Sequence, residues 1–393
     1  MLLPRSIRVQ AMASTWPRSR TMPASFPPYS RIEDIDVAAV LNVIGILTTP
    51  PLSSGASLSE LWAFVRYFFA ITEDSNLRLT SDFQEMDPHQ KTILSDDFGV
   101  GFSMHWLADR LNFIAACDGR YFIENHLTSI GGTYSGGTAK RGLGKSPDFV
   151  ALDAAGLFHV IECKGTQSSL GYRNSQLRDT ARAQKMTIQL PRHLAGEILA
   201  AGIFIAGPSG DETEMRIIDP EPPEKYVVRD QDPHLVRSAV VRGTLAKQLR
   251  SAGFPRFAAA VAFPRPRPNL EVPGEMRENE LGVLNRLERA DTELREQKLP
   301  TFAADDDEFV GRRIRIDLPR PIHTRRGDYT RVEVRRGLRR KTFEDARSRA
   351  MYEDILDDGE AAKAVGVYRF GEARGRAWMR LGAGFYSDIR FLR

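Results

Sequence analysis

Three residue types at one spacing set the chemistry open to this chain: Asp148, Glu162 and Lys164. They fall in the stretch SPDFVALDAAGLFHVIECK, from Ser146 to Lys164. Phe149 to Asp153 is short, apolar and partly β-branched, Asp153 to Gly156 has turn chemistry, and Leu157 to Cys163 is a second apolar run. The unit reads as a β-hairpin. Residues two apart on a strand project from one face, with α-carbons roughly 6.6 Å apart. Glu162 and Lys164 therefore point together, Cys163 points to the opposite layer, and Asp148 stands on the neighbouring strand. Carboxylates on adjacent strands are hard oxygen ligands for Mg2+, with Mn2+ as a substitute, and such an ion completes its shell with water and substrate phosphate. The ion lowers the pKa of a bound water and offsets charge developing on phosphate oxygens. A lysine beside that water can orient it and stabilise an anionic transition state.

Elements on both sides must hold this hairpin. Upstream, Ile35, Val37, Val40, Leu41 and Ile44 give a helical stripe over residues 32–46, and Ser57 with Glu60 opens a second helix as a capping box. Residues 74–97 are polar, carry Asp87-Pro88, and read mainly as connection. After Asp96 and Asp97, the spacing of Val100, Met104, Leu107, Leu111 and Ile114 predicts a helix with one buried face. Tyr121 to His126 suits a strand, and SIGGTYSGGTAKRGLGKS is a glycine-rich, basic loop into the hairpin. Downstream, residues 168–188 have a helical period with Arg173, Gln176, Thr180 and Gln184 along one face. Leu199 to Ala206 and Met215 to Ile218 are strand-like. From Asp97 to Pro220 the expected order is helix, three strands, helix, two strands.

At 393 residues the chain has length for two or three domains with substantial cores, and a net charge of +4 says less than its distribution. Two cysteines, Cys117 and Cys163, are too few for a disulfide framework or a cysteine zinc site, which fits a reducing, cytoplasmic compartment. The longest apolar stretches are short or interrupted by Arg66 and Glu197, so no membrane span is expected. Residues 1–31 are rich in Arg, Pro and Ser and read as a disordered leader, with a transit peptide as the other reading.

Pro147-Asp148, thirteen intervening residues, then Glu162-Cys163-Lys164 resemble the motif of the PD-(D/E)XK nuclease superfamily. The resemblance covers about a third of the chain and implies an α/β, restriction-endonuclease-like core, a mixed central sheet flanked by helices, with the motif on its second and third strands. It implies Asp148 and Glu162 as metal-binding acids and Lys164 as the catalytic lysine. A further acid on the first helix is found in many members, and Asp97 is the candidate, ahead of Asp96 and Asp109. Asp97 would equally serve as a helix cap. A glutamine on the helix after the lysine would be Gln184 or Gln176, both of which also suit solvated helix positions. His159 falls on the Cys163 face and reads as a packed histidine.

AKRGLGKS, Ala139 to Ser146, nearly matches a phosphate-cradling P-loop, but it lacks the first glycine and leads into a strand instead of a helix. Its Lys140, Arg141 and Lys145 can instead meet substrate phosphates. From Arg312 to Lys341 twelve Arg or Lys face three acids among strand-like apolar positions, which predicts a basic sheet face with Arg312, Arg313, Arg335 and Arg336 as nucleic-acid contacts. A solvated or acid-paired arginine surface is the other reading of this region.

The expected organisation is a leader (1–31), an N-terminal helical region (32–95), the nuclease core (96–222), a helical connector (223–300) and a basic C-terminal α/β domain (301–393). The expected function is a Mg2+-dependent DNA endonuclease in bacterial restriction, anti-phage defence or repair. The alternatives are an RNA-cutting nuclease and a non-catalytic nucleic-acid-binding or scaffold protein. Protein partners would be a second copy of the chain, or a separate ATPase, helicase or sensor subunit.

Overall fold

The structure, a computed structural model, describes residues 4–18, 20–48, 67, 69–127, 133–135, 138–139, 142–143, 145–181, 188–190, 194–210, 212–219, 233–263, 273–324, 327–349, 366–373, 376–382 and 384–393. A mixed seven-stranded sheet carries the hairpin. Its strands are β1 (Arg5–Ala11), β2 (Arg31–Ile35), β3 (Phe113–Asp118), β4 (Phe149–Asp153), β5 (Phe158–Thr166), β6 (Ala195–Phe204) and β7 (Glu214–Ile218), in the order β2-β1-β7-β6-β5-β4-β3. The pairs β3–β4 and β4–β5 are antiparallel, β6 is parallel to β5, and β7 is antiparallel to β6. The β4–β5 turn forms because the Asp153 carboxylate accepts from the Leu157 amide at 2.8 Å and Gly156 takes φ +89°, which a residue without Cβ adopts freely.

Helices close both faces. α1 (Val37–Leu47) is capped by Asp36, and α2 (Pro88–Arg110) by Asp87, whose carboxylate accepts from the His89 amide at 2.8 Å. Pro88 suits the first turn because its missing N–H would have no helical partner there. Residues 88–96, expected as connection, are thus the first turns of α2, and Asp97 lies inside the helix instead of capping it. α2 packs on the Cys163 face of β5 at backbone contact. A Cβ on Gly165 would lie 1.7 Å from the Ser95 carbonyl oxygen, and one on Gly99 2.5 Å from the Gly165 nitrogen. The opposite face is covered by α3 (Leu170–Ser175), capped by Ser169, and by the π-helical turn Gln176–Ala181, from which Leu177 packs above Gly202. The rest of the helix expected to residue 188 falls on residues 182–187, outside the described residues, and on the short strand Ile188–Gln189.

Residues 1–31 are not a disordered leader where they are described. β1 sits inside the sheet, parallel to β7 and antiparallel to β2. Ile7, Val9 and Ala11 alternate inward, a period of two that basic composition masks. Beyond β1 the segment is pinned on β6, where the Trp16 indole donates to Glu197 at 2.9 Å and Arg20 to the Gly196 carbonyl at 2.8 Å. β2 replaces the first turn of the expected helix over 32–46, and most of the helix expected from Ser57 lies outside the described residues. The strand expected at Tyr121–His126 is helical, and Phe113–Asp118 is the strand instead. Asn112, at φ 52°, turns the chain between α2 and β3.

Three helices follow: α4 (Pro233–Ala252), α5 (Pro255–Ala262) and α6 (Pro273–Glu296). A six-stranded antiparallel sheet comes next, made of β8 (Thr301–Ala304), β9 (Asp307–Thr324), β10 (Gly327–Arg339), β11 (Gly366–Ala373), β12 (Arg376–Gly382) and β13 (Phe385–Leu392) in the order β8-β9-β10-β13-β12-β11. α7 (Arg340–Arg349) follows β10 directly. α4 is more than a connector, because it closes the β3 edge of the first sheet: the Thr244 hydroxyl accepts from the Ala116 amide at 2.9 Å, which satisfies an edge donor. Val240, Leu245 and Leu249 of α4 lie in one continuous core with Val40 and Ile44 of α1 and with Val332, Val334 and Ile389 of the second sheet. Among the described residues no helix is long and apolar enough to cross a membrane.

Candidate active site

Asp148, Glu162 and Lys164 converge. The pairing of Phe149 with Ile161 sets Asp148 beside Glu162 at the end of the hairpin. Asp148 is held twice: its carboxylate accepts from the Cys163 amide at 2.7 Å, and its carbonyl from the Gly119 amide at 2.9 Å. Lys164 donates from Nζ to Glu162 Oε1. Glu162 is 0% exposed, and among the described residues its Oε2 is buried without a hydrogen-bond partner. The Lys164 side chain keeps 18% exposure, so the cluster opens to solvent on the lysine side.

Burial, helped by the neighbouring Asp148 charge and opposed by Lys164, pushes the Glu162 carboxyl up to about 8. Burial likewise raises Asp148, against the pull of Lys164 and the Cys163 amide. For Lys164 burial acts downward, but the Glu162 and Asp148 carboxylates outweigh it and raise the ammonium. The ammonium is therefore the fixed charge of the site, and Glu162 is the group that titrates near neutrality.

Asp97 is turned away, and its carboxylate accepts from the Tyr67 hydroxyl. The acid of α2 whose charge acts on Lys164 and Asp148 is Asp96, exposed one residue earlier. The cause is the helix start: with the first turn at Pro88, a position shift of one residue rotates a side chain by about 100°. Asp109 lies near the far end of α2, 3.9 Å from Arg110. Asp118, not singled out in the sequence, ends β3 beside Asp148 and is paired at 2.8 Å with Lys247, a lysine 1% exposed that also donates to the Leu47 carbonyl at 2.5 Å. A charged residue closing an apolar strand run was the available signal for Asp118. Lys247 carried none, since it comes from a helix far along the chain.

Among the described residues no group of three or more His, Cys, Asp and Glu side chains could hold a metal ion. The pair Asp148 and Glu162 does suit a hard divalent cation: two carboxylates, one with a buried unpartnered oxygen, match an ion often bound by one or two protein carboxylates with water and phosphate completing its shell. Burial of both acids behind Lys164 also favours a site that takes up positive charge.

Lys140, Arg141 and Gln184 lie outside the described residues. Lys145 is exposed, and its backbone is fixed by the Tyr134 hydroxyl, which accepts from the Lys145 amide at 3.1 Å and donates to its carbonyl. Gln176 adjoins Leu177 on the turn over the Glu162 face, with its Oε1 buried and unpartnered among the described residues. His159 is packed, 2% exposed, its Nδ1 accepting from the Glu197 amide at 3.0 Å and its Nε2 set 3.1 Å from Asp153.

The basic face is not the one expected. Arg312 and Arg336 are cross-strand neighbours on the core side of the second sheet, where Arg312 donates to the Ser251 carbonyl of α4 at 2.7 Å and Arg336 is 1% exposed. Arg335 is buried on the outer side against Asp388. Of the four, Arg313 alone is exposed, at 50% of its side chain. Strand alternation divides neighbouring arginines between faces. Comparison with family models, with curated proteins and with solved structures finds no match to this chain.

Proposed function

We propose that the chain is a Mg2+-dependent nuclease with a restriction-endonuclease-like core that hydrolyses DNA phosphodiester bonds. The observation that carries this reading is Glu162: a carboxyl 0% exposed, with one oxygen unpartnered among the described residues, placed between Asp148 and Lys164 on adjacent strands. Supporting it, in the order α2, β3, β4, β5, α3, β6, with three antiparallel strands and a fourth parallel to the third, Asp148 adjoins the second strand and Glu162 and Lys164 lie on the third, an arrangement in keeping with the one the resemblance implies.

Asp148 and Glu162 would hold the ion, which when bound supplies a water of lowered pKa and charge neutralisation at the phosphate. Asp148 is oriented for this by the Cys163 and Gly119 amides. Glu162, raised to about 8, is mostly protonated at neutral pH and gives up its proton when a cation takes its place. Lys164 keeps its proton, so it acts as a donor to anionic oxygen and not as a general base. Asp96 adds negative charge at the exposed side of the lysine.

The test is incubation of the purified protein with plasmid DNA, single-stranded DNA and RNA, in Mg2+ or EDTA. Metal-dependent cutting of DNA, abolished by Glu162→Ala and by Lys164→Ala, is the expected result. Cutting that survives both substitutions rules out this site. Binding without cutting of any substrate makes the chain a nucleic-acid-binding or scaffold protein, and cutting of RNA alone changes the substrate.

A further inference from the structure

The outer face of the second sheet is built from arginines that outnumber the carboxylates beneath them. The register sets Arg313 beside Arg335 and Arg315 beside Glu333, with Arg390 and Asp388 of β13 next in the same two rows. Cross-strand neighbours share a face, and the alternate residues Val332, Val334 and Ile389 enter the core, so this set faces outward. Glu333 lies 2.8 Å from Arg315 and 3.9 Å from Arg313. Asp388 pairs with Arg335 at 2.5 Å and Arg390 at 3.2 Å. Among the described residues each carboxylate thus meets two guanidiniums, and each trio keeps one positive charge.

Depth separates the signs. The side chains of Glu333 and Asp388 are 6% and 0% exposed, whereas those of Arg313, Arg315 and Arg390 are 50%, 59% and 36% exposed. A guanidinium has five donors and a carboxylate engages one or two of them, so the exposed arginines turn further N–H groups outward. Next along β10, exposed Arg331 donates to the Arg393 carbonyl at 2.8 Å and faces Asp317 in the register. Farther along β9, the Arg320 guanidinium stands 5.1 Å from the centre of the Phe69 ring. Phe69 is two residues from Tyr67, the partner of Asp97 on α2. The arginine-bearing strand therefore runs toward the helix that carries Asp96.

We propose that this outer face, through Arg313, Arg315 and Arg390, binds the phosphate backbone of duplex DNA. The arginines hold the duplex by charge and bidentate N–H contacts without reading its sequence. Buried Glu333 and Asp388 fix the guanidinium planes in advance, so little side-chain freedom is lost on binding. The choice of DNA as ligand rests on the nuclease reading, but binding to this face is measurable without catalysis.

Fluorescence anisotropy of a labelled duplex in EDTA, across a salt series, tests it with the full chain. Arg313→Glu/Arg315→Glu is expected to lower affinity at low salt at least about tenfold and to reduce the slope of log K against log salt by about two, one for each phosphate left without its arginine. Arg390→Gln is expected to reduce the slope by about one. Arg313→Lys/Arg315→Lys is expected to keep most of the slope. Because Arg315 neutralises a buried acid, Arg313→Glu alone serves as the second variant, with melting temperature as the control for folding. Unchanged affinity and slope in folded charge-reversal variants overturn the proposal while leaving the nuclease reading intact. Absence of salt-dependent binding by the parent protein also overturns it. Duplex binding through these arginines by a protein that cuts nothing keeps the surface and ends the nuclease reading.

Discussion

At the scale of single residues, Glu162 couples the site to proton concentration. Its carboxyl ionises near 4.5 when unfolded and at about 8 in the fold, so between these values the folded state holds a proton that the unfolded state has lost. Stability from this group is complete below pH 4.5 and is lost as pH rises through 8, a swing of at most about 5 kcal/mol. Denaturant titrations without metal should show that decline in the parent protein and a flatter profile in Glu162→Gln. Added Mg2+ should restore stability at pH 8 and release protons in a weakly buffered calorimetric titration at pH 7. Asp148, Glu162 and Lys164 were legible in sequence because a strand's period of two fixes which side chains share a face. Asp96 was not separable from Asp97, since a helix turns its face with each residue and the helix start was set ten residues upstream, by Asp87 and Pro88.

At the scale of elements, the site depends on how closely α2 approaches β5. Gly99 and Gly165 let two backbones meet, and a methyl group on Gly165 would overlap the Ser95 carbonyl oxygen at 1.7 Å. Gly165→Ala should destabilise the fold by about 3 kcal/mol or more, because the obstacle is main chain and cannot swing aside. Chemical denaturation checks this, and Gly156→Ala in the open turn at φ +89° should cost only about 1 kcal/mol. The hairpin was legible from its apolar runs and turn residues. β1 was hidden because its alternation is short and interleaved with arginine and serine, and its parallel partner lies far along the chain. The strand at Phe113–Asp118 was hidden because Ile114 extends the helical count of α2 past Asn112, where the helix has already ended.

At the scale of the molecule, the two sheets share one core, and a buried lysine helps tie it together. Lys247 of α4 joins the end of α1 through Leu47 and the first sheet through Asp118. Lys247→Met should destabilise the chain by about 3 to 5 kcal/mol, because Asp118 is left without its cation, and adding Asp118→Asn should recover part of the loss. Equilibrium unfolding followed by tryptophan fluorescence and by far-ultraviolet circular dichroism should give coincident transitions, and two separated transitions would contradict a shared core. The division expected between residues 222 and 301 came from proline and charge along the chain, which report local stiffness and solubility but not the long-range packing of α1 against β13.

The place of β1 in the sheet has a consequence for synthesis on the ribosome. Arg8 pairs with Glu214, 206 residues later, so at about 5 to 20 residues per second the strand waits roughly 10 to 40 seconds for its parallel partner. Throughout that interval β1 has only β2 on one side and the short contact of Ser6 with residues 75–77 on the other, so the rest of the edge that β7 later covers stays open as a template for pairing with other chains. The nascent chain is thus exposed to aggregation throughout that interval. Holdase chaperones that recognise extended apolar segments should be needed early, at Ile7 and Val9, before any residue of the hairpin that carries Asp148 and Glu162 has been made.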